Sequence, residues 1–434
     1  MGAPRALNDI SFQKTNGGLG RYTGSDDVIS GLIFGGLGLT MNATTANEET
    51  TEPDVSGFVA VDDNISYVRK FTYPEELADC GIVFTPKPKN GELTATQKAV
   101  NVLYYHITEF FRMNPEGVLY VMVKNNSTAV ATTTTSNDVT TDGDIIKLQT
   151  FAGGNIRQIG VFNSTCTSTF INGMQVDCKT LEDKHQPLSV VLTYSGGTAS
   201  NPMDISTLTG YAPGSNDPAP CNVSLLIGCD MDTDLAAALD NFAFYGCIGL
   251  CIGAVSKAHV HESIAWVGNF PLGLKAPALF NGKLIRDTST SDLKKLNGNR
   301  YLFVITHAGD ADNYFNDSHT LDVDSSDYAY IENVRTIDKA CRGIRGKLLP
   351  WLNSPLRVDP SNGQLESGMV SFLETTAGEA LEEMEKAGEI SGYKVEIDPA
   401  QNVLATSALE IVIKKVPVGV MRKVTVKIGY TTSL

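Results

Sequence analysis

Cys247, Cys251, His259 and His261 are the residues of this chain whose chemistry best suits a metal, because thiolate and imidazole are the ligands zinc takes up. Their spacing argues against it. The two cysteines fall in an apolar run, Ile248 to Val255 and its approach, that reads as a buried strand, where side chains four apart share a face but stand too far apart for one ion. His259 and His261 flank Val260 at the start of an expected helix around His259 to Gly268, as solvated or capping residues would. Asp310, Asp312, Asn313 and Asp317 gather oxygens as a calcium loop does, yet no glycine stands at the sixth loop position and no glutamate at the twelfth. The stretch Gly31 to Gly38 has the glycines of a phosphate-binding loop, but no lysine follows in the required spacing and no strand, turn and helix context is evident. Neither a Gly-x-Ser-x-Gly elbow nor a persuasive Cys–His pairing is found. No catalytic, cofactor-binding or metal-binding residue is therefore assigned, and a non-enzymatic role is expected.

The elements that would position such residues are those of an α/β protein, α+β overall. Ala95 to Met113 reads as a helix with Val100, Leu103, Tyr104, Ile107, Phe110 and Phe111 on a wide apolar face, and Gly117 to Val123 as a buried strand. Asn125 to Asp144 is rich in Thr, Asn and Asp and reads as an exposed loop or hairpin, the place for an insertion. From Asn222 the pattern is a strand to Gly228, a helix near Thr233 to Phe244, the strand Ile248 to Val255, the helix at His259, then a strand Tyr301 to Thr306. Such alternation implies parallel pairing. The opening segment, with Ile10 and Phe12 between polar neighbours and with glycine-rich stretches at Gly17 to Gly20 and Gly31 to Gly38, reads as an arm joined to a folded body.

The Asp-rich loop Gly309 to Asp327 marks the expected domain boundary. The division is a linking arm over 1–25, an outer α/β part over 26–310 with an insertion near 125–215, a core domain over 311–421, and a terminal strand over 422–434.

Composition narrows the function classes. The 434 residues carry 34 basic and 49 acidic side chains, a formal charge of -15, which disfavours a general nucleic-acid binder that must neutralise phosphates. The N-terminus lacks the apolar core of a secretory signal, and the longest uncharged apolar run, Phe242 to Ser256, is short of the roughly 20 residues a membrane span needs. Eight cysteines are too few for a disulfide scaffold and read as small reduced hydrophobes.

The last hundred or so residues are the most informative. Tyr330 to Leu349 places Val334, Ile337, Cys341, Ile344 and Leu348 on one helical face and Arg335, Lys339, Arg342 and Arg345 on another. A second helix, Leu365 to Lys386, carries Glu374, Glu379, Glu382, Glu383 and Glu385 on its polar side, with Gly388 placed to stop it. Three alternating runs follow, Tyr393 to Ile397, Leu409 to Ile413 and Val424 to Ile428, each reading as a half-buried strand, with Pro417 between the last two.

This module resembles the C-terminal domain of contractile tail sheath proteins of bacteriophages and contractile injection systems. The resemblance rests on Tyr330-Ile331-Glu332-Asn333-Val334-Arg335-Thr336-Ile337, on Leu348-Leu349-Pro350-Trp351, on the turn Ala387-Gly388-Glu389-Ile390-Ser391-Gly392 into a strand, and on Leu409 to Ile413 with Val424 to Ile428. It covers the final quarter of the chain, and Gly17 to Gly38 is similar to a divergent sheath-like group from prophages of gut bacteria.

The resemblance implies a sheath-like core of helices on a small sheet completed by terminal arms, stacked six-membered rings of this chain, and an inner tube driven through an envelope on contraction. It implies no cofactor and no hydrolysis. Partners would be further copies of the chain, the tube protein, and baseplate and tail terminator proteins, with no nucleic acid and no direct membrane insertion, in a virion tail or injection particle assembled in the bacterial cytoplasm. In such proteins the arms add strands to adjacent subunits, and the matching residues here are Ile10, Phe12, Val424, Val426 and Ile428. Arg335, Lys339, Arg342 and Arg345, with Glu379, Glu382 and Glu383, are then expected at contacts between subunits or with the tube. Two other classes stay open: a metal-dependent hydrolase using the Cys/His cluster, and a surface binding module displaying the Thr-rich insertion.

Overall fold

Apolar runs without polar alternation, such as Val118–Lys124 and Ser189–Thr193, suit strands covered on both faces, and the chain uses them so. The computed structural model describes residues 26–41, 57–62, 65–136, 139–162, 166–194, 197–198, 200–212, 219–361 and 363–431. The arm expected over 1–25, with Ile10 and Phe12, lies outside them.

The chain opens with β1 (Ile29–Phe34), β2 (Val59–Asp62) and β3 (Ser66–Phe71), then α1 (Ala95–Met113) and β4 (Val118–Lys124). The hairpin β5 (Thr134–Ser136) and β6 (Val139–Thr141) precedes α2 (Asp144–Phe151), β7 (Gln158–Phe162), α3 (Ser168–Asp183) and β8 (Ser189–Thr193). Two short strands, β9 (Gly197–Thr198) and β10 (Asn201–Pro202), lead to β11 (Val223–Leu226), β12 (Gly228–Asp230), α4 (Thr233–Leu239) and α5 (Ile248–Lys257). After β13 (Pro277–Leu279) and α6 (Thr290–Gly298) come β14 (Tyr301–Leu302), β15 (Val304–Thr306) and β16 (Asn313–Phe315). The chain closes with α7 (Ile331–Leu348), α8 (Ser367–Lys386), β17 (Ile390–Glu396), α9 (Val403–Thr406) and β18 (Val412–Pro417).

Eight strands form one sheet in the order β14, β11, β8, β7, β1, β4, β3, β2. From β14 to β4 every pairing is parallel, and β3 and β2 extend the sheet antiparallel. Period-two alternation divides β1 between two cores: Leu32 and Phe34 pack with α1, α4 and α5 on one face, and Ile33 packs with α2, α3 and α6 on the other. Each such fully buried side chain contributes about 1.5–3 kcal/mol. Helix α1 starts as its sequence indicates, with Thr94 and Gln97 forming a reciprocal capping box.

Three expectations fail here for identifiable reasons. The run Ile248 to Val255 is the helix α5, not a strand. Gly249 and Gly253, four apart on one face, let α5 lie against the α1 backbone so closely that a Cβ on Gly249 would meet the His106 carbonyl oxygen at 1.8 Å. With residues Ile248 to Ser256 all buried, no polar face remains to betray the helical period.

The helix expected at His259 to Gly268 is a series of turns, in which the Glu262 carboxylate accepts from the His259 N–H and the Trp266 N–H donates to the Ser263 carbonyl. Such local bonds compete with helix. The glycines from Gly31 to Gly38 belong to the centre of the sheet and the loop after it, not to an arm. Gly31 lies within β1, and Gly36 and Gly38 turn the chain at φ of 70° and 74°.

The Thr-rich stretch forms the expected hairpin, β5 with β6. Its base is fixed by Asp144, which accepts from the Ala131 N–H and pairs at 2.9 Å with Lys124, both side chains being buried. No helix among the described residues is long and apolar enough to cross a membrane.

Candidate functional site

Helices α7 and α8 pack on each other and on the antiparallel ribbon β17–β18. Gly343 permits the approach, since a Cβ there would meet the Ala380 methyl at 2.9 Å. Ala340, Leu381, Met384 and Ile390 form one small apolar cluster, and Leu365, Leu373 and Ile397 another. Gly388, at φ 75°, ends α8 as its position in the sequence indicates. The second expected strand is shifted: β18 spans Val412–Pro417, with Pro417 as its last residue. Leu409 and Ile411 pack beside Leu365 instead, because Gln401 holds the Glu410 backbone through both its N–H and its carbonyl.

The third expected strand is not a strand in this chain. Val424, Val426 and Ile428 are exposed, at 63%, 77% and 95% of their full surface, and among the described residues no strand pairs with them. Nor does any described strand pair with either outer edge of the β17–β18 ribbon. A two-stranded ribbon is marginal alone, and an unpaired edge is a template for a further strand.

The basic face of α7 divides by depth. Arg335 is buried and donates to the carbonyls of Ala258 and His259, so it lies beneath the surface and presents no charge to another molecule; burial lowers its pKa to about 10. Lys339 and Arg342 pair at 3.0 Å and 2.9 Å with Asp27, at the start of the described chain, and Lys339 also reaches Glu389. Arg345 is exposed. The acidic side of α8 is met by Lys347, outside the expected basic face, at 3.2 Å from Glu379 and 2.9 Å from Glu383, while Glu382 pairs with Lys386 four residues on.

At the root of the terminal segment, Arg422 donates to Asp317 at 2.9 Å, to Glu332 and to Ser318, and lies 3.5 Å above the Tyr330 ring. Burial raises the Glu332 pKa, and Arg422 and the Ser318 hydroxyl oppose that rise. Val418 to Arg422 form one wall of a cleft of about 580 Å³, with His261, Trp266, Val267 and His307 among the residues opposite. Asp27, Glu332, Lys347 and Arg422 are not distinguished by any local pattern, because each partner is far away in sequence.

The candidate metal and calcium residues are used structurally. Cys247 and Cys251 are buried free thiols on and beside α5, their pKa values pushed up by burial, and the His259 and His261 rings stack on each other. No group of three or more His, Cys, Asp or Glu among the described residues is placed to hold a metal. Asp310 accepts from the Asp312 N–H and the Tyr314 hydroxyl, Asn313 bonds the Leu274 backbone, and Asp317 serves Arg422.

Comparison with known proteins adds to this geometry. No curated protein matches the chain in sequence. A chain in the six-fold symmetrised structure of the anti-feeding prophage baseplate superposes with a TM-score of 0.55 at 12% identity, covering 98% of this chain and 99% of that one. A chain in the contracted PVC sheath complex of an extracellular contractile injection system gives 0.53 at 12% identity, covering 91% and 99%. These likenesses show a shared fold. The family model for the DUF2586 N-terminal domain matches residues 84–319, more than half of the chain, and that for the DUF2586 C-terminal domain matches residues 327–434. The chain belongs to the DUF2586 family.

Proposed function

We propose that this chain is a structural subunit of a contractile sheath, polymerising as stacked hexameric rings around an inner tube. One observation carries the reading. The segment after Arg422 keeps the apolar alternation of a strand while its apolar residues stand in solvent, and the β17–β18 ribbon of the same chain has outer edges without a described partner. A segment from one copy adding to the ribbon of the next satisfies both, since backbone bonds supply affinity and alternate side chains supply register. Val424, Val426 and Ile428 are the inserting residues, and Ile10 and Phe12 do the same for the N-terminal arm. Fold similarity over nearly the whole length to chains from the anti-feeding prophage baseplate and the PVC sheath supports the reading.

Arg345, Glu379, Glu382 and Glu383 are the charges proposed for contacts between copies or with the tube because they are exposed, the three glutamates keeping surface pairs with Lys347 and Lys386, whereas Lys339 and Arg342 are held by the less exposed Asp27. The inner tube, baseplate and terminator proteins are the further partners, and the place of action is a virion tail or an injection particle. The division near residue 311 separates an outer α/β part from the assembling module. A hydrolase gains no support from the arrangement of Cys247, Cys251, His259 and His261.

Negative-stain microscopy tests the proposal. The full chain should form hollow tubes or stacked rings, and a chain lacking Lys423 to Leu434 should remain as discrete particles with unchanged circular dichroism. Equal assembly by the two chains would sink it.

A further inference from the structure

Both ends of the described chain are tied to one helix. Asp27 binds Lys339 and Arg342 on α7, and Arg422 binds Glu332 in the first turn of α7 while covering Tyr330 just before it. The two ties mirror each other in charge, an acid of the N-terminal side on bases of the helix and a base of the C-terminal side on its acid.

The second tie is set in the protein body. Glu332 is only 2% exposed, and its oxygens are served by the Ser318 hydroxyl and the Arg422 guanidinium. A buried carboxylate stripped of its cation is costly, so this contact holds Arg422 more firmly than a surface pair would. On one side of it, Lys423 to Tyr430 are exposed. On the other, Val418 to Met421 run along the cleft opposite Trp266 and Val267 without entering a described strand.

We propose that Arg422 is a latch that sets the reach of the C-terminal segment toward a second copy of this chain. Closed, it makes Lys423 the first residue able to leave the body. Open, it releases Val418 to Arg422 as well, about 16 Å of additional extended chain. A joint of two lengths lets neighbouring copies change their separation without parting. The proposal rests on the reading of this segment as a donated strand.

Limited digestion of the purified full chain with a lysine-specific protease reads the latch, because cutting after Lys423 needs the residues on both sides of it free of the body. Arg422→Ala and Glu332→Gln should each speed that cut, followed by fragment mass, by about tenfold or more, with cutting after Lys98 in α1 unchanged. Arg422→Lys, which keeps the charge but loses the fork and the flat stacking surface, should fall between. Asp317→Asn is the milder variant should Glu332→Gln disturb α7, and it should give a smaller rise at the same bond. An unchanged rate after Lys423 in Arg422→Ala overturns the latch, and so does a rise shared by Lys98 in every variant. The donated-strand reading fails by a different result, full assembly of a chain that lacks Lys423 to Leu434.

Discussion

Asp338 lies on the buried side of α7, where burial raises its pKa to about 7, against the pull of Arg342 and with Glu182 reinforcing the rise. Its folded value is above the ordinary 3.8. Between about pH 4 and about pH 7 the folded chain therefore holds a proton that the unfolded chain has lost, and this group's contribution to stability falls as pH rises through that window. Asp338→Asn removes the titration. In urea unfolding the variant should gain on the unsubstituted chain from about pH 4 to about pH 7, by up to about 4 kcal/mol, and run parallel to it above. A difference independent of pH would show that Asp338 is charged in the folded chain. The helical period of α7 is legible in the sequence, yet the fate of its charges is not. Arg335 is claimed by two carbonyls of the chain after α5, and Lys339 and Arg342 by Asp27, partners that helical spacing cannot reveal.

Among the elements, α1, α7 and α8 are readable because each keeps a polar face, and α8 also carries a readable end signal at Gly388. Helix α5 has no polar face, and its defining contact is the absence of side chains at Gly249 and Gly253. Gly249→Ala should therefore cost about 2–4 kcal/mol, by forcing α5 away from the His106 backbone. Gly346→Ala, on α7 where a Cβ meets nothing within 4 Å, should have the opposite sign, a gain of about 0.5–1 kcal/mol from helix propensity. Urea midpoints of the two variants, measured side by side, check the pair. The final alternating run is the converse case. Val424, Val426 and Ile428 have the alternation of a strand, yet they stand exposed and pair with no described strand of this chain, because alternation alone does not supply the edge that a ladder needs.

At the scale of the whole molecule, stability is unevenly distributed. The two faces of the eight-stranded sheet carry the large apolar clusters, and the C-terminal module is held by two small ones beneath a ribbon of two strands. A single unfolding temperature is then not a property of this chain. Calorimetry of the unassembled protein should show two transitions, the lower belonging to α8, β17 and β18 and the higher to the sheet. If other copies complete the ribbon, the lower transition should climb with protein concentration and the upper one should stay in place, as mass action requires of a fold that only association finishes. The module with the open edges would thus report the concentration of its own chain, loose in dilute solution and firm where the chain is abundant enough to assemble.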